Sequence, residues 1–324
     1  MNGIRVPYSD AEKVRKELLD NNALVTTHKP IRLEKEIIFP VTEKYNVEAT
    51  EEVTFEKYTQ QKSFKDVVTS FLTDEQEEEF IHSFDTIGTI AIIQIPDLLV
   101  PIEEKIATTL LETNPHIETV RKRASHHHGK FRLQPTTYLA GKDEIVTEHT
   151  EFGVSFFVDV DNVYFSPRLS TERGRIRDIV NPSEDILVLF DGCGPYSLLL
   201  ADKGANVTSV EWNPRGVELA KLSAAKNDTN INHVLGDVRT SIPPAEYDRI
   251  IMPAPNNALD YTDCVKPYMK PATTLHIYTF DEPSSIEEIK QALSAEYNTS
   301  NIEHVFCGQK SPGVFRLCFD INRT

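Results

Sequence analysis

This chain has few cysteines and no long apolar run. Its four cysteines, Cys193, Cys264, Cys307 and Cys318, include no CxxC pair. That spacing excludes a disulfide framework and a structural zinc ribbon. No stretch approaches the roughly 18 apolar residues of a membrane helix. The most apolar run, TIAIIQIPDLLVPI over 89–102, is broken by Gln94, Pro96 and Asp97. The opening MNGIRVPYSDAEK has no apolar core of a signal peptide. Internal repeats and low-complexity tracts are absent. A soluble, reducing-compartment (cytoplasmic) protein with no membrane contact is expected. Positive charge is also scarce: 34 Lys and Arg against 50 Asp and Glu leave −16 over 324 residues. That total argues against general nucleic-acid affinity. Its distribution is uneven, because RKRASHHHGKFR (121–132) carries five basic residues and no acid. What is present, 40% hydrophobic and 26% charged residues, is globular and excludes disorder and fibres.

At about 150 residues per domain the length predicts two domains, or three if one is small. Residues 1–58 read as a small unit. In it SDAEKVRKELLDNNAL is helical, with Ser9 as N-cap and Glu12 three residues on, and KEIIFPVTEKY is a strand. Residues 59–84 read as an acidic linker, and 85–160 as a middle α+β domain. From 161 strands and helices alternate, which implies a mostly parallel sheet covered on both faces. The last two strands are joined only by KSP, so they form a hairpin with one antiparallel strand. The fold class is α/β: a Rossmann-like domain with a seven-stranded sheet, preceded by two small α+β domains.

LVLFDGCGPYS joins the first strand of that alternation to its helix. Gly192 and Gly194 permit a sharp turn and close approach to a ligand, and the helix start offers free amides. Glu211, 19 residues after Gly192, ends the next strand, where a carboxylate can accept both ribose hydroxyls. Asp237 ends the third strand, within reach of an adenine amino group. A dinucleotide dehydrogenase would carry a third glycine where Ser197 stands. The combination looks like an S-adenosylmethionine (AdoMet) methyltransferase. Trp212 either stacks near the adenine or packs in the core. Cys193 reads as loop packing rather than a nucleophile. Three consecutive imidazoles, His126, His127 and His128, point in different directions and predict no metal site.

Upstream stands HTEFGVSFFVDVDNVYFSPRLSTERGRI (149–176). This resembles the tRNA (guanine-37 N1)-methyltransferase family of archaea and eukaryotes, most specifically in YFSPRLSTERGRI. RVPYSDAEKVRKELL, FDTIGTIAIIQIP, GKFRLQPTTYLAG, GCGPYSLLLADKG, EWNP and GDVRT extend the likeness over nearly the whole chain. The resemblance implies N1-methylation of guanosine in the tRNA anticodon loop, with residues 1–58 recognising the tRNA body. It implies Glu172 as general base and Arg132 as the holder of the guanine oxygen. Cofactor contacts would fall on Arg173, Phe190, Asp191, Gly192, Gly194, Glu211, Asp237 and Val238. Arg121, Lys122, Arg123, Lys130 and Arg168 would meet RNA phosphate. No protein partner is implied, and a monomer is expected. Two departures stand out. Pro253 occupies the place of a family asparagine, with Pro255 matching the family proline, and Val188 replaces a strand Asp. The alternatives are a wybutosine-pathway enzyme acting on a modified guanosine, by C7 methylation or aminocarboxypropyl transfer, and a non-catalytic tRNA-binding paralogue. Ser166-Pro167-Arg168 favours methyl transfer.

Overall fold

The computed structural model describes residues 1–45, 50–57, 62–123, 133–254, 256 and 258–322. The chain forms two compact units, residues 1–63 and 64–324. None of the described helices is long and apolar enough to cross a membrane.

In the first unit an antiparallel sheet runs in the order Ile31–Arg32, Glu36–Pro40, Asn2–Pro7, Thr50–Glu52. The helix Ala11–Asp20 packs its Leu18 against Val6, Ile37, Phe39 and Val41. Ser9 does not cap this helix. Asp10 is the N-cap and makes no side-chain cap bond, while the Ser9 hydroxyl turns to the Asp10 carboxylate.

The second unit begins where a linker was expected. Helices occupy Phe64–Thr69 and Asp74–Glu79, the latter started by a reciprocal Thr73–Gln76 capping box. The acids of 74–79 are unburied, as a solvated face requires. Phe64 and Val68, however, enter a core with Leu99, Ile106, Leu110 and Val120, and Phe71, Leu72, Phe80 and Phe84 pack against it. These apolar anchors between the acids make 64–84 part of the folded unit. A sheet in the order Asp85–Ile87, Ile90–Ile93, Thr119–Arg123, Thr136–Gly141 comes next, covered by the helix Glu103–Thr113.

The hairpin Val146–Glu151 and Val154–Asp159 packs directly on the helices Pro195–Asp202 and Pro214–Lys226. Val154, Phe156 and Val158 share a core with Leu198, Leu199 and Leu219. Ser223 Oγ accepts from the Phe157 amide at 2.8 Å. No structural break therefore separates 160 from 161.

The large sheet has seven strands in the order Ile231–Leu235, Asn206–Glu211, Asp185–Leu189, Tyr247–Met252, Met269–Asp281, Val314–Asn322, Ile302–Ser311. Val314–Asn322 runs antiparallel to both of its neighbours, and the remaining pairs are parallel. Ile186, Leu187, Val188 and Leu189 are fully buried because helices cover both faces. The strand order reverses between Asp185–Leu189 and Tyr247–Met252, so a crevice opens at the carboxyl ends there.

Candidate active site

The crevice is built by the loop after Leu189. Phe190, Gly192 and Gly194 all take left-handed conformations, with φ of +55°, +58° and +87°. At Phe190, a residue with a side chain, this backbone is strained, a feature that clusters at ligand sites. Gly216 completes the turn from the next helix: a β-carbon there would lie 2.6 Å from the Gly192 carbonyl oxygen. Gly194 starts the helix Pro195–Asp202. The Asp191 carboxylate accepts from the Ser197 hydroxyl at 2.5 Å and its amide at 3.4 Å. Burial pushes the Asp191 carboxyl up to about 7, more than the Ser197 bonds pull it down. Between the ordinary value of 3.8 and about 7 the folded chain thus holds a proton that the unfolded chain releases. Stability falls as pH rises across that window. Asp191→Asn is expected to flatten this part of a Tm-against-pH curve, which calorimetry checks.

Glu211 crosses to this loop. Its Oε2 accepts from the Gly192 amide at 2.8 Å and Oε1 from the Asn213 amide at 2.6 Å. Burial raises its pKa against these bonds. A carboxylate has about four lone-pair positions, so acceptor capacity remains for two ligand hydroxyls. Beside it, Phe190 and Tyr261 meet edge to face at 5.2 Å, and Val238 lies on the same wall. Asp237 caps the short helix Val238–Ser241 through the Arg239 amide and pairs with the Arg239 side chain. The cleft encloses about 430 Å³. Its lining includes apolar Phe190, Tyr261 and Val238, the Glu211 carboxylate, and the cations Lys310 and Arg316 beside Phe280.

The cleft brings together Arg173, Phe190, Asp191, Gly192, Glu211, Asp237 and Val238 from the expected cofactor set. Gly194 is not on its wall; it shapes the helix start, with Ala220 Cβ 3.0 Å from where its β-carbon would be. Arg173 is buried and bonds Glu151 through Nε at 2.7 Å and NH2 at 2.5 Å. Trp212 lines the cleft and is 43% exposed, so it is not a core residue. Cys193 is buried and its thiol is pushed up to about 12 by burial, which fits packing.

Glu172 is not on the cleft wall. Its carboxylate takes Arg175 Nε and NH2, both at 2.8 Å, and the Tyr278 hydroxyl at 2.5 Å. The other expected catalytic residue, Arg132, lies outside the described residues, as do Lys130 and His126, His127 and His128.

Three of the residues expected to meet phosphate have partners within the fold. Arg121 is buried and bonds Asp143 and Thr136 at 2.6 Å and Asp161 at 3.3 Å. Lys122 bonds Glu103 at 2.5 Å, and Arg123 bonds Asp85 and Gln134. Charges within a sheet must find partners, and these partners lie far off in sequence. Arg168 differs: one Nε bond to Asp85 holds it while its side chain stays 70% exposed.

Tyr196, Phe280, Lys310 and Arg316 also line the cleft and were not singled out from the sequence. The available signal was one arginine inside the apolar strand GVFRLCFDI.

Comparison with known proteins places this geometry. Three family models match in order: the tRNA methyltransferase 5 N-terminal domain over 3–49, the TYW2 N-terminal domain over 64–144, and the TRM5/TYW2 methyltransferase domain over 147–302. The tRNA (guanine(37)-N(1))-methyltransferase Trm5b of Pyrococcus abyssi is 31% identical over 281 residues, 86% of this chain and 83% of its own. This chain belongs to the TRM5/TYW2 methyltransferase family. The crystal structure of wild-type Trm5b from Pyrococcus abyssi superposes with a TM-score of 0.74 at 27% identity, covering 99% of each chain. The complex structure of aTrm5 and tRNALeu gives 0.72 at 25% identity, covering 100% of each. The capping of the sheet by an antiparallel hairpin agrees with the expected fold.

Proposed function

We propose that this chain is an AdoMet-dependent tRNA methyltransferase that forms N1-methylguanosine at position 37. The observation that carries the reading is the Glu211 carboxylate, held by the Gly192 and Asn213 amides at the switch point of the sheet. The cleft fits AdoMet: Glu211 accepts ribose hydroxyls, the Phe190–Tyr261–Val238 wall takes the adenine, and two left-handed glycines let the backbone approach. When bound, AdoMet supplies a methyl group activated on sulfur.

The protein's own task is to remove the N1 proton of the guanine and align its ring. Glu172 remains the proposed proton acceptor, reached through hydroxyls. Tyr196 borders the cleft, its hydroxyl donates to that of Tyr278 at 3.3 Å, and Tyr278 donates to Glu172 at 2.5 Å. A proton passed to Tyr196 moves one hydroxyl hydrogen along each step and ends on Glu172. Arg132 is retained as a proposed contact to the guanine oxygen. Exposed Arg168 and Lys310 at the rim are suited to RNA phosphate, and tRNA is the substrate of the reading. Residues 1–63, compact by themselves, are proposed to recognise the tRNA body. The reading takes the protein as a monomer acting in a reducing, cytoplasmic compartment.

The test is a tRNA transcript incubated with the full chain and AdoMet, digested, and read by mass spectrometry. N1-methylguanosine is expected, and is lost when guanosine 37 is replaced by adenosine. A methylated or aminocarboxypropylated tricyclic nucleoside from modified tRNA alone, or no product, would overturn the reading. Tyr278→Phe keeps the ring in the core and breaks the hydroxyl chain. It is expected to slow single-turnover methylation about a hundredfold or more, the scale of a lost general-base path, with AdoMet affinity intact.

A further inference from the structure

Glu172 ends a row of charged side chains that crosses three strands of the large sheet. Arg249, His276 and Asp320 stand on the neighbouring strands Tyr247–Met252, Met269–Asp281 and Val314–Asn322, with His276 and Asp320 in direct register. By strand alternation they share the face on which Ile251, Tyr278 and Cys318 meet Ile176 of the helix Ser170–Ile179. The contacts are continuous. Glu184 accepts from Arg249 Nε at 2.9 Å, Arg249 NH1 meets His276 Nε2 at 2.6 Å, and His276 Nδ1 meets Asp320 Oδ1 at 2.6 Å. Arg175 then bridges two carboxylates, with NH1 2.6 Å from Asp320 and both Nε and NH2 2.8 Å from Glu172.

A guanidinium can only donate. His276 Nε2 is therefore an acceptor, and the imidazole proton sits on Nδ1 and is donated to Asp320. An imidazolium would set its second N–H against Arg249. Burial lowers the His276 pKa more than Asp320 raises it. Burial raises the Asp320 carboxyl, but His276 and Arg175 outweigh it and hold it well below its ordinary value. Cys318, 3.1 Å from Asp320, Tyr278, bonded to Glu172, and Tyr196 are all pushed up by burial and stay protonated. Arg173, next on the helix, is matched by Glu151. Three carboxylates, Glu172, Asp320 and Glu184, thus meet two guanidiniums, Arg175 and Arg249, and the row carries one negative charge in excess. Such a row gains by taking up one proton. Resting on the reading of Glu172 as proton acceptor, we propose that Asp320 is the positioning residue for that step: it takes one side of Arg175 and leaves Glu172 as the carboxylate that receives the proton. The transfer balances. Guanine N1 keeps the electron pair of its N–H bond, one hydroxyl hydrogen moves at each of Tyr196 and Tyr278, and the Glu172 carboxylate becomes the acid. The row is then neutral. His276, Cys318 and Asp320 also lie within 4.8 Å of one another, but two guanidiniums hold the ring nitrogen and carboxylate oxygens that a metal would need.

The test uses the full chain with Asp320→Asn, which keeps one acceptor oxygen for the His276 N–H and removes the charge. Arg175 then serves Glu172 alone, and an unshared cation makes Glu172 a weaker base. Single-turnover methylation above the rising limb of the pH–rate profile is expected to fall roughly three- to tenfold. The limb itself moves to lower pH by about one unit. Below the wild-type limb the deficit closes, whereas a loss of packing alone lowers the rate by the same factor at every pH. AdoMet and tRNA affinities stay at wild-type values, and Asp320→Asn adds nothing in a Glu172→Gln background. A second readout needs no turnover. Infrared difference spectra of wild type on acidification show a protonated-carboxyl band that Glu172→Gln removes and Asp320→Asn moves to lower pH. The wild-type and Glu172→Gln spectra decide the acceptor even where Asp320→Asn does not fold. If wild type makes no N1-methylguanosine yet the band behaves in this way, the functional reading falls and the division of labour between the two carboxylates stands. A rate loss uniform in pH, additivity with Glu172→Gln, or a carboxyl band that survives Glu172→Gln would overturn the inference.

Discussion

Glu211→Ala is expected to weaken AdoMet binding by about two to four orders of magnitude. Two hydrogen bonds from ribose hydroxyls to an ionised carboxylate contribute roughly 1.5–3 kcal/mol each, and about 1.4 kcal/mol is a factor of ten. The substitution also frees the Gly192 and Asn213 amides, which Glu211 now holds at 2.8 and 2.6 Å, so the glycine loop loses its tie to the second strand. Glu211→Gln separates these effects, since it keeps one acceptor oxygen. Trp212 lines the same cleft and is the single tryptophan, so its fluorescence reports occupancy directly. Affinity that survives Glu211→Ala would remove the ribose from this carboxylate.

Arg173→Met is the second large effect, and it falls on stability. Arg173 and Glu151 are both about 2% exposed and joined by two hydrogen bonds. Breaking a buried pair by removing one partner costs about 3–5 kcal/mol, because the other charge is left uncompensated. At about 2–4 °C per kcal/mol for a unit of this size, Tm should fall by roughly 6–20 °C. His149, 3.3 Å from Glu151, replaces the guanidinium only in part. Burial raises the Glu151 carboxyl, but the bonds from Arg173 and His149 outweigh it and hold it below its ordinary value. In wild type this contribution is therefore present above the unfolded pKa and lost as pH falls through the lower folded value. In the variant, burial without the guanidinium favours the protonated acid, so the deficit against wild type narrows on acidification. A small Tm change independent of pH would show that the pair contributes little. AdoMet binding should weaken too, because Arg173 lines the cleft.

The catalytic half was legible because its signals are local. ILVL before FDGCG is a doubly covered strand running into a phosphate-type turn, and each step from Gly192 to Glu211 to Asp237 falls at a strand end. Apolar alternation likewise marks the final hairpin, whose reversed strand was expected from the three-residue connection. The acidic stretch 59–84 misled because composition averages over residues. Six acids hide Phe64, Val68, Phe80 and Phe84, which are spaced to reach a helix that lies further along the chain. Arg121, Lys122 and Arg123 have partners that the sequence hid for the complementary reason. Their charge is visible in the sequence, whereas Asp143, Asp161, Glu103 and Asp85, which neutralise it, are neighbours only after folding.

By itself the sequence determined the element order, the glycine turn, the acid that faces it and the family resemblance, because strand periodicity, backbone permissiveness and motif spacing are properties of short segments. Tertiary structure alone decided which charges are spent and which are available. Glu172 is held by Arg175 and Tyr278, and Arg173 is matched by Glu151. Arg316 emerges without a carboxylate at the end of the cleft among the described residues. These pairings join residues from different parts of the chain, up to the 106 positions between Glu172 and Tyr278, and only the folded chain brings them together.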